Sequence, residues 1–215
     1  MKIGIELNYV IRDINTQILK YYKKDINKEF DDKNINKNVS KFIDRLKFDT
    51  KKAKSDFMYI DYPYEIFGCA KTMERNLSVL LNNFIASFAD IDDEEYELAV
   101  FSLKEKGLSI QSSYYFLSKI GSRVREVHFP KKAEDMWNVC DVIITTNKHI
   151  VKTKPEGKKV ILIKMDDNTN LVENCDYVYN SLTEVLSDVD ILNKIKIKEP
   201  STVKKFVSKI KNIFK

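Results

Sequence analysis

Glycine, proline, cysteine, histidine and tryptophan are all scarce in this 215-residue chain, at 5, 4, 3, 2 and 1 copies. So little glycine and proline excludes a collagen-like or low-complexity chain and favours a folded protein rich in helix. The cysteines, Cys69, Cys140 and Cys175, are odd in number and widely spaced, which suits neither a disulfide framework nor a zinc site. A reducing, intracellular setting is the expectation. His128 and His149 have no cysteine or acid spaced to form a metal or nucleophile set with them, so both are read as structural or exposed. Long apolar runs are missing as well. The longest, Val160 to Met165, is interrupted by Lys164, far short of the ~20 residues that cross a bilayer. The opening residues, Met1 to Glu6, acquire an acid after three apolar positions and show no small-residue cleavage site, so a signal peptide is not expected.

What is present is a core-forming composition, 43% hydrophobic and 11% aromatic, in a chain long enough for one domain with an insertion. The net charge of +5 is unevenly placed. Eight lysines and the single acid Glu199 give +7 between Lys194 and Lys215, which leaves −2 for the remainder. In that tail Ser201 is placed to cap a helix on which Val203, Phe206, Val207, Ile210, Ile213 and Phe214 recur at helical spacing, with lysines elsewhere around it. A basic amphipathic helix of this kind docks on its own domain, enters a partner's groove, lies on an anionic membrane or contacts phosphates.

Along the body, an apolar strand over 2–6 feeds a helix over 11–22. A polar stretch over 23–54 reads as a surface insertion, and a long helix is expected over 71–90. Short apolar strands then alternate with helices: strands over 97–103, 125–129, 141–145, 159–163 and 177–179, helices over 109–120, 131–139 and 182–192. This alternation predicts an α/β, doubly wound (Rossmann-like) parallel sheet. The expected division is a core of 1–24 and 91–193, a helical cap insertion of 25–90 and the tail of 194–215. Such sheets place functional groups at the carboxyl ends of their strands, beside the reversal in strand order.

Those ends carry Ile3-Gly4-Ile5-Glu6-Leu7-Asn8, then Val100-Phe101-Ser102, then Lys131 and Lys132 opening a helix, then Ile143-Ile144-Thr145-Thr146. In layout the chain resembles the haloacid dehalogenase-like superfamily, and within it the 5'-nucleotidase-like branch. That family carries Asp-x-Asp after its first strand, Ser or Thr after a second, Lys or Arg before a later helix and acids after a further strand. The resemblance implies a magnesium-dependent phosphohydrolase, but here Glu6 and Asn8 replace the two aspartates and Thr145 and Thr146 replace the acids. A glutamate nucleophile reaches one methylene too far for in-line attack, and Asn8 does not titrate. Magnesium, which prefers hard carboxylate oxygens, keeps one charged ligand. Ser102 and Lys131 or Lys132 remain as candidate phosphate contacts. No catalytic residue, metal or other cofactor is therefore expected, magnesium entering only if the phosphohydrolase alternative holds.

Asp166-Asp167-Asn168-Thr169-Asn170 reads as a polar loop, since it lacks the glycine and final glutamate of a calcium loop. Trp137 reads as a core or interface anchor. Tyr59, Tyr62, Tyr64 and Phe67 belong to the densest aromatic cluster, read either as packing between cap and core or as a protein contact surface. Two functions of different class follow. One is a catalytically inactive scaffold joined to other subunits, homo- or hetero-oligomeric, through its aromatic and tail surfaces; the tail then meets an acidic protein surface or nucleic acid phosphates. The Lys-, Asn- and Ile-heavy composition extends this expectation to a bacteriophage virion. The other is a phosphatase or 5'-nucleotidase with an atypical site.

Overall fold

The computed structural model describes residues 1–33, 35–88 and 96–196. The expected tail helix, with Val203, Phe206, Val207, Ile210 and Phe214, lies outside them. Within them, six parallel strands form one sheet: β1 (Lys2–Glu6), β4 (Glu97–Phe101), β5 (Glu126–His128), β6 (Val142–Thr145), β7 (Lys159–Ile163) and β8 (Tyr177–Tyr179). Their order is β5-β4-β1-β6-β7-β8, so the chain starts in the middle, builds to one edge and crosses back to build the other. The reversal lies between β1 and β6. This is the mixed α/β, Rossmann-like arrangement that the alternation predicts.

The strands are buried on both faces, as a covered parallel sheet requires. Ile3, Ile5, Val100, Val142, Ile144 and Ile161 share one core with side chains of α3 (Leu77–Ser87), α4 (Leu108–Lys119), α6 (Leu182–Ser187) and α7 (Ile191–Ile195). The alternate residues Ala99, Phe101, Ile143, Val160 and Leu162 face a second core with Met136, Trp137 and α5 (Lys148–Lys152). Period-two alternation thus supplies both layers from the same strands. Trp137 is a core residue, its indole N–H donating to the Ile150 carbonyl at 3.2 Å. Gly4 is required by close approach, because a β-carbon there would lie 2.6 Å from Cys140 Sγ.

Several elements begin later or break sooner than the periodicity predicts. Arg12 and Asp13 form β2, antiparallel to β3 (Lys71–Thr72), so α1 runs Ile14–Asp25 with the Asp13 carboxylate capping the Thr16 N–H at 3.1 Å. For the same reason the long helix expected from residue 71 starts only at Leu77, after Asn76 in left-handed backbone. The segment Ala133–Asn138 is a 3-10 helix, and the last expected helix divides into α6 and α7.

A third apolar cluster runs from Ile14, Ile18 and Tyr22 of α1 through Phe42 and Phe57 to Phe67. The inserted unit therefore begins with α1, emerges between β2 and β3, and includes the short α2 (Lys51–Asp56) and two π-helical turns over Phe57–Asp61 and Tyr64–Gly68. α3 belongs to the sheet, where Leu77, Leu81 and Phe84 pack.

Candidate functional site

The carboxyl ends of β1, β4 and β6 meet beneath the inserted unit and form the floor of a cleft of about 630 Å3. On one side of the reversal, Glu6 ends β1, buried to 4% exposure at the cleft's floor. Its Oε2 accepts from the Thr145 hydroxyl at 2.6 Å, the Thr146 N–H at 3.0 Å and the Thr146 hydroxyl at 3.3 Å. Burial raises the Glu6 carboxyl above its ordinary value, and the two threonines pull it partly back. Glu6, Thr145 and Thr146 thus form one cluster, in which two hydroxyls and an amide satisfy a single carboxylate oxygen.

On the other side is a buried polar network centred on Arg12. Its guanidinium has five N–H donors, and each has a partner. Nε donates to Asn8 Oδ1 at 3.0 Å; Nη2 donates to the same oxygen at 2.7 Å and to Glu105 Oε1 at 2.5 Å. Nη1 donates to the Phe67 carbonyl at 3.0 Å and to Ser113 Oγ at 2.7 Å. Asn8 Nδ2 donates to Ser102 Oγ at 2.9 Å, and the Ser102 and Ser113 hydroxyls in turn donate to the two oxygens of Glu105. The rings of Phe67 and Phe116 flank the guanidinium at 5.1 and 5.3 Å. Burial lowers the Arg12 pKa from its ordinary value, while Glu105 opposes that shift. With side chains 0% and 1% exposed, Arg12 and Glu105 are a desolvated ion pair held by complete hydrogen bonding.

This network reassigns Ser102. The hydroxyl is sealed beneath the cleft with its proton committed to Glu105, so it does not join Lys131 and Lys132 in a phosphate clamp. The two lysines are exposed and line the cleft. Magnesium fits the floor poorly as well. Asn8 Oδ1 is taken by Arg12 twice, and the Thr145 hydroxyl is spent on Glu6. No step through a metal follows from these donors.

The cleft also gathers Lys41 from the inserted unit and Lys104 after β4, which strand-end reasoning missed, and Lys148 at the start of α5, which closes the strand end over 145–148. Two lining acids are already engaged, Asp44 with Lys54 at 2.6 Å and Glu134 with His149 at 2.9 Å. His128 lies away from the cleft, paired with Glu126 at 2.6 Å.

Of the aromatic cluster, Phe67 is buried in the inserted unit's core and Tyr59 stacks on it with ring centroids 5.7 Å apart. Tyr62 is partly buried and donates to Asp25 at 2.7 Å; Tyr64, 46% exposed, faces outward. Asp166 and Asp167 join the core to the inserted unit, accepting from Asn36, Asn38 and Ser40. Among the described residues no helix is long and apolar enough to cross a membrane. No protein-family model matches the chain, and a search of curated proteins returns no match.

Proposed function

We propose that the chain is a catalytically inactive, haloacid dehalogenase-like protein that acts as a structural or interaction component of a larger assembly. The observation that carries this reading is the Arg12–Glu105 pair. It consumes Asn8 and Ser102, two of the positions at which the resemblance would place proton transfer and phosphate contact. A guanidinium with five satisfied donors costs several kcal/mol, of order 3–5, to strip of its partner, comparable with the whole binding free energy of a millimolar substrate. Fold alone carries no activity, and a sheet of this type serves equally as a frame. The outward Tyr64 and the basic, amphipathic sequence of the tail are the surfaces assigned to partners, with a virion among the assemblies that suit the composition.

A second reading, an atypical magnesium-dependent phosphohydrolase, is favoured by one feature: Glu6 lines the cleft, and its raised pKa is of the kind seen in acid catalysis. Incubation of the purified chain with magnesium and nucleoside monophosphates separates the two readings. No phosphate release is expected; release that disappears in Glu6→Ala overturns the scaffold reading. Sizing the full chain against a version ending at Pro200 tests the tail, whose removal is expected to reduce assembly.

A further inference from the structure

Some lysines elsewhere in the fold are paired, such as Lys2 with Glu97 and Glu126, Lys23 with Asp32, Lys154 with Asp176 and Lys158 with Asp141, and others, such as Lys51 and Lys152, stand apart from one another on the surface. The cleft differs in bringing several together. Lys41, Lys104, Lys131, Lys132 and Lys148 converge on it from four segments of the chain, and none of the five side chains has an ion-pair or hydrogen-bond partner among the described residues. Asp44 is ion-paired with Lys54, and Glu134, whose carboxyl is held below its ordinary value by its own backbone N–H and further by His149 and Lys132, offsets part of this charge and leaves the lysines in excess. Gathering five ammonium groups around one concavity is unfavourable unless an anion joins them. Lys104 also sits in left-handed backbone, φ 65°, which costs a residue with a β-carbon about 1–2 kcal/mol. Glycine or asparagine would fold there more easily.

We propose that the cleft is a receptor for a compound bearing two or more linked phosphoryl groups, held by these lysines and released unchanged. The proposal rests on the non-hydrolytic reading above and adds its ligand class. A single phosphoryl group carries about −1.5 to −2 charges, less than five lysines call for, whereas a linked pair or triplet matches them. Lys41, Lys104 and Lys148 lie at positions that the family resemblance does not assign, so the charge is spread well beyond one phosphate contact. The volume, about 630 Å3, is that of a small-molecule site. The inserted unit walls one side with Ile14, Ile43, Met58 and Phe67, and the strand-end loops wall the other, a shape for a compact ligand instead of a nucleic acid duplex.

The test is calorimetric titration of the full chain, without magnesium, with tripolyphosphate and with orthophosphate. Saturable one-site binding of tripolyphosphate is expected, with orthophosphate weaker by about tenfold or more. The double variant Lys104→Gln/Lys132→Gln is expected to lose about tenfold or more in affinity with its melting temperature unchanged. A tail variant, Lys209→Gln/Lys211→Gln, is expected to bind as the parent does. Absence of tripolyphosphate binding, unaltered binding in the cleft variant, loss confined to the tail variant, or orthophosphate binding as tight as tripolyphosphate each overturns the proposal. Orthophosphate release from tripolyphosphate once magnesium is added overturns the non-hydrolytic reading separately, and leaves the receptor assignment to be judged by the cleft variant.

Discussion

The floor and the rim of one cleft are built on opposite principles. At the floor, Arg12, Glu105, Asn8, Ser102 and Ser113 exchange hydrogen bonds until every guanidinium donor is used. At the rim, on four separate segments of the chain, five lysine side chains have no ion-pair or hydrogen-bond partner among the described residues. A satisfied buried charge is tied to stability, because removing one member strands the other in a low-dielectric interior. An unsatisfied exposed charge contributes little to folding and is free to meet a ligand. The same strand ends therefore separate two tasks that an active site would combine.

Breaking the floor should have the largest effect. Glu105→Ala leaves the Arg12 guanidinium buried and uncompensated, and is expected to destabilise by about 3–5 kcal/mol in denaturant titrations. Asn8→Asp is milder. It keeps an acceptor for Arg12 but removes the donor to Ser102, and an expected loss of about 1–3 kcal/mol is measurable the same way. Asn8→Asp is thus expected to weaken the protein without conferring phosphatase activity.

Glu6 sharpens the comparison through pH. Burial raises its carboxyl above the ordinary 4.5, so the folded chain binds that proton more tightly than the unfolded one. Its contribution to stability is fully present below the ordinary value and is lost as pH climbs through the raised one. Glu6→Gln, which keeps an acceptor for Thr145 and Thr146, is expected to melt above the parent at about pH 8, with the gap closing near about pH 4. Thermal melts across that range decide it. The smallest effect belongs to the rim: Lys104→Gln and Lys132→Gln are each expected to shift stability by less than about 0.5 kcal/mol.

Strand-end reasoning found half of this cleft and missed the other half. The strands over 2–6, 159–163 and 177–179 were legible to the residue, because β-branched and aromatic runs bounded by polar residues leave few alternatives. Glu6, Thr145 and Thr146 were legible as a group, since parallel strands bring their carboxyl ends together. Arg12 and Glu105 were not. They are distant in sequence, and a buried ion pair has no periodicity; the available hint was a lone arginine directly after Val10 and Ile11 in an apolar stretch. Lys41 and Lys104 look like ordinary surface lysines until the fold brings their segments together. The position of α1 escaped for a local reason: two residues of apparent helix were drawn into β2 by pairing with a strand some sixty positions away, Arg12 with Thr72 and Asp13 with Lys71.

That two-residue ribbon has a consequence for how the molecule can change. Entry to and exit from the inserted unit lie side by side, one ladder spacing apart, so whatever is spliced between Asp13 and Lys71 closes its ends on the same pair of residues. Closure cost grows only slowly with loop length, about 0.6 kcal/mol for each doubling. The stretch from Ile14 to Ile66 is in this sense a cassette: lineages or designers can exchange it for a longer or shorter one, provided that Phe67 stays to accept from Arg12 and Ala70 stays in the core of the six-stranded sheet.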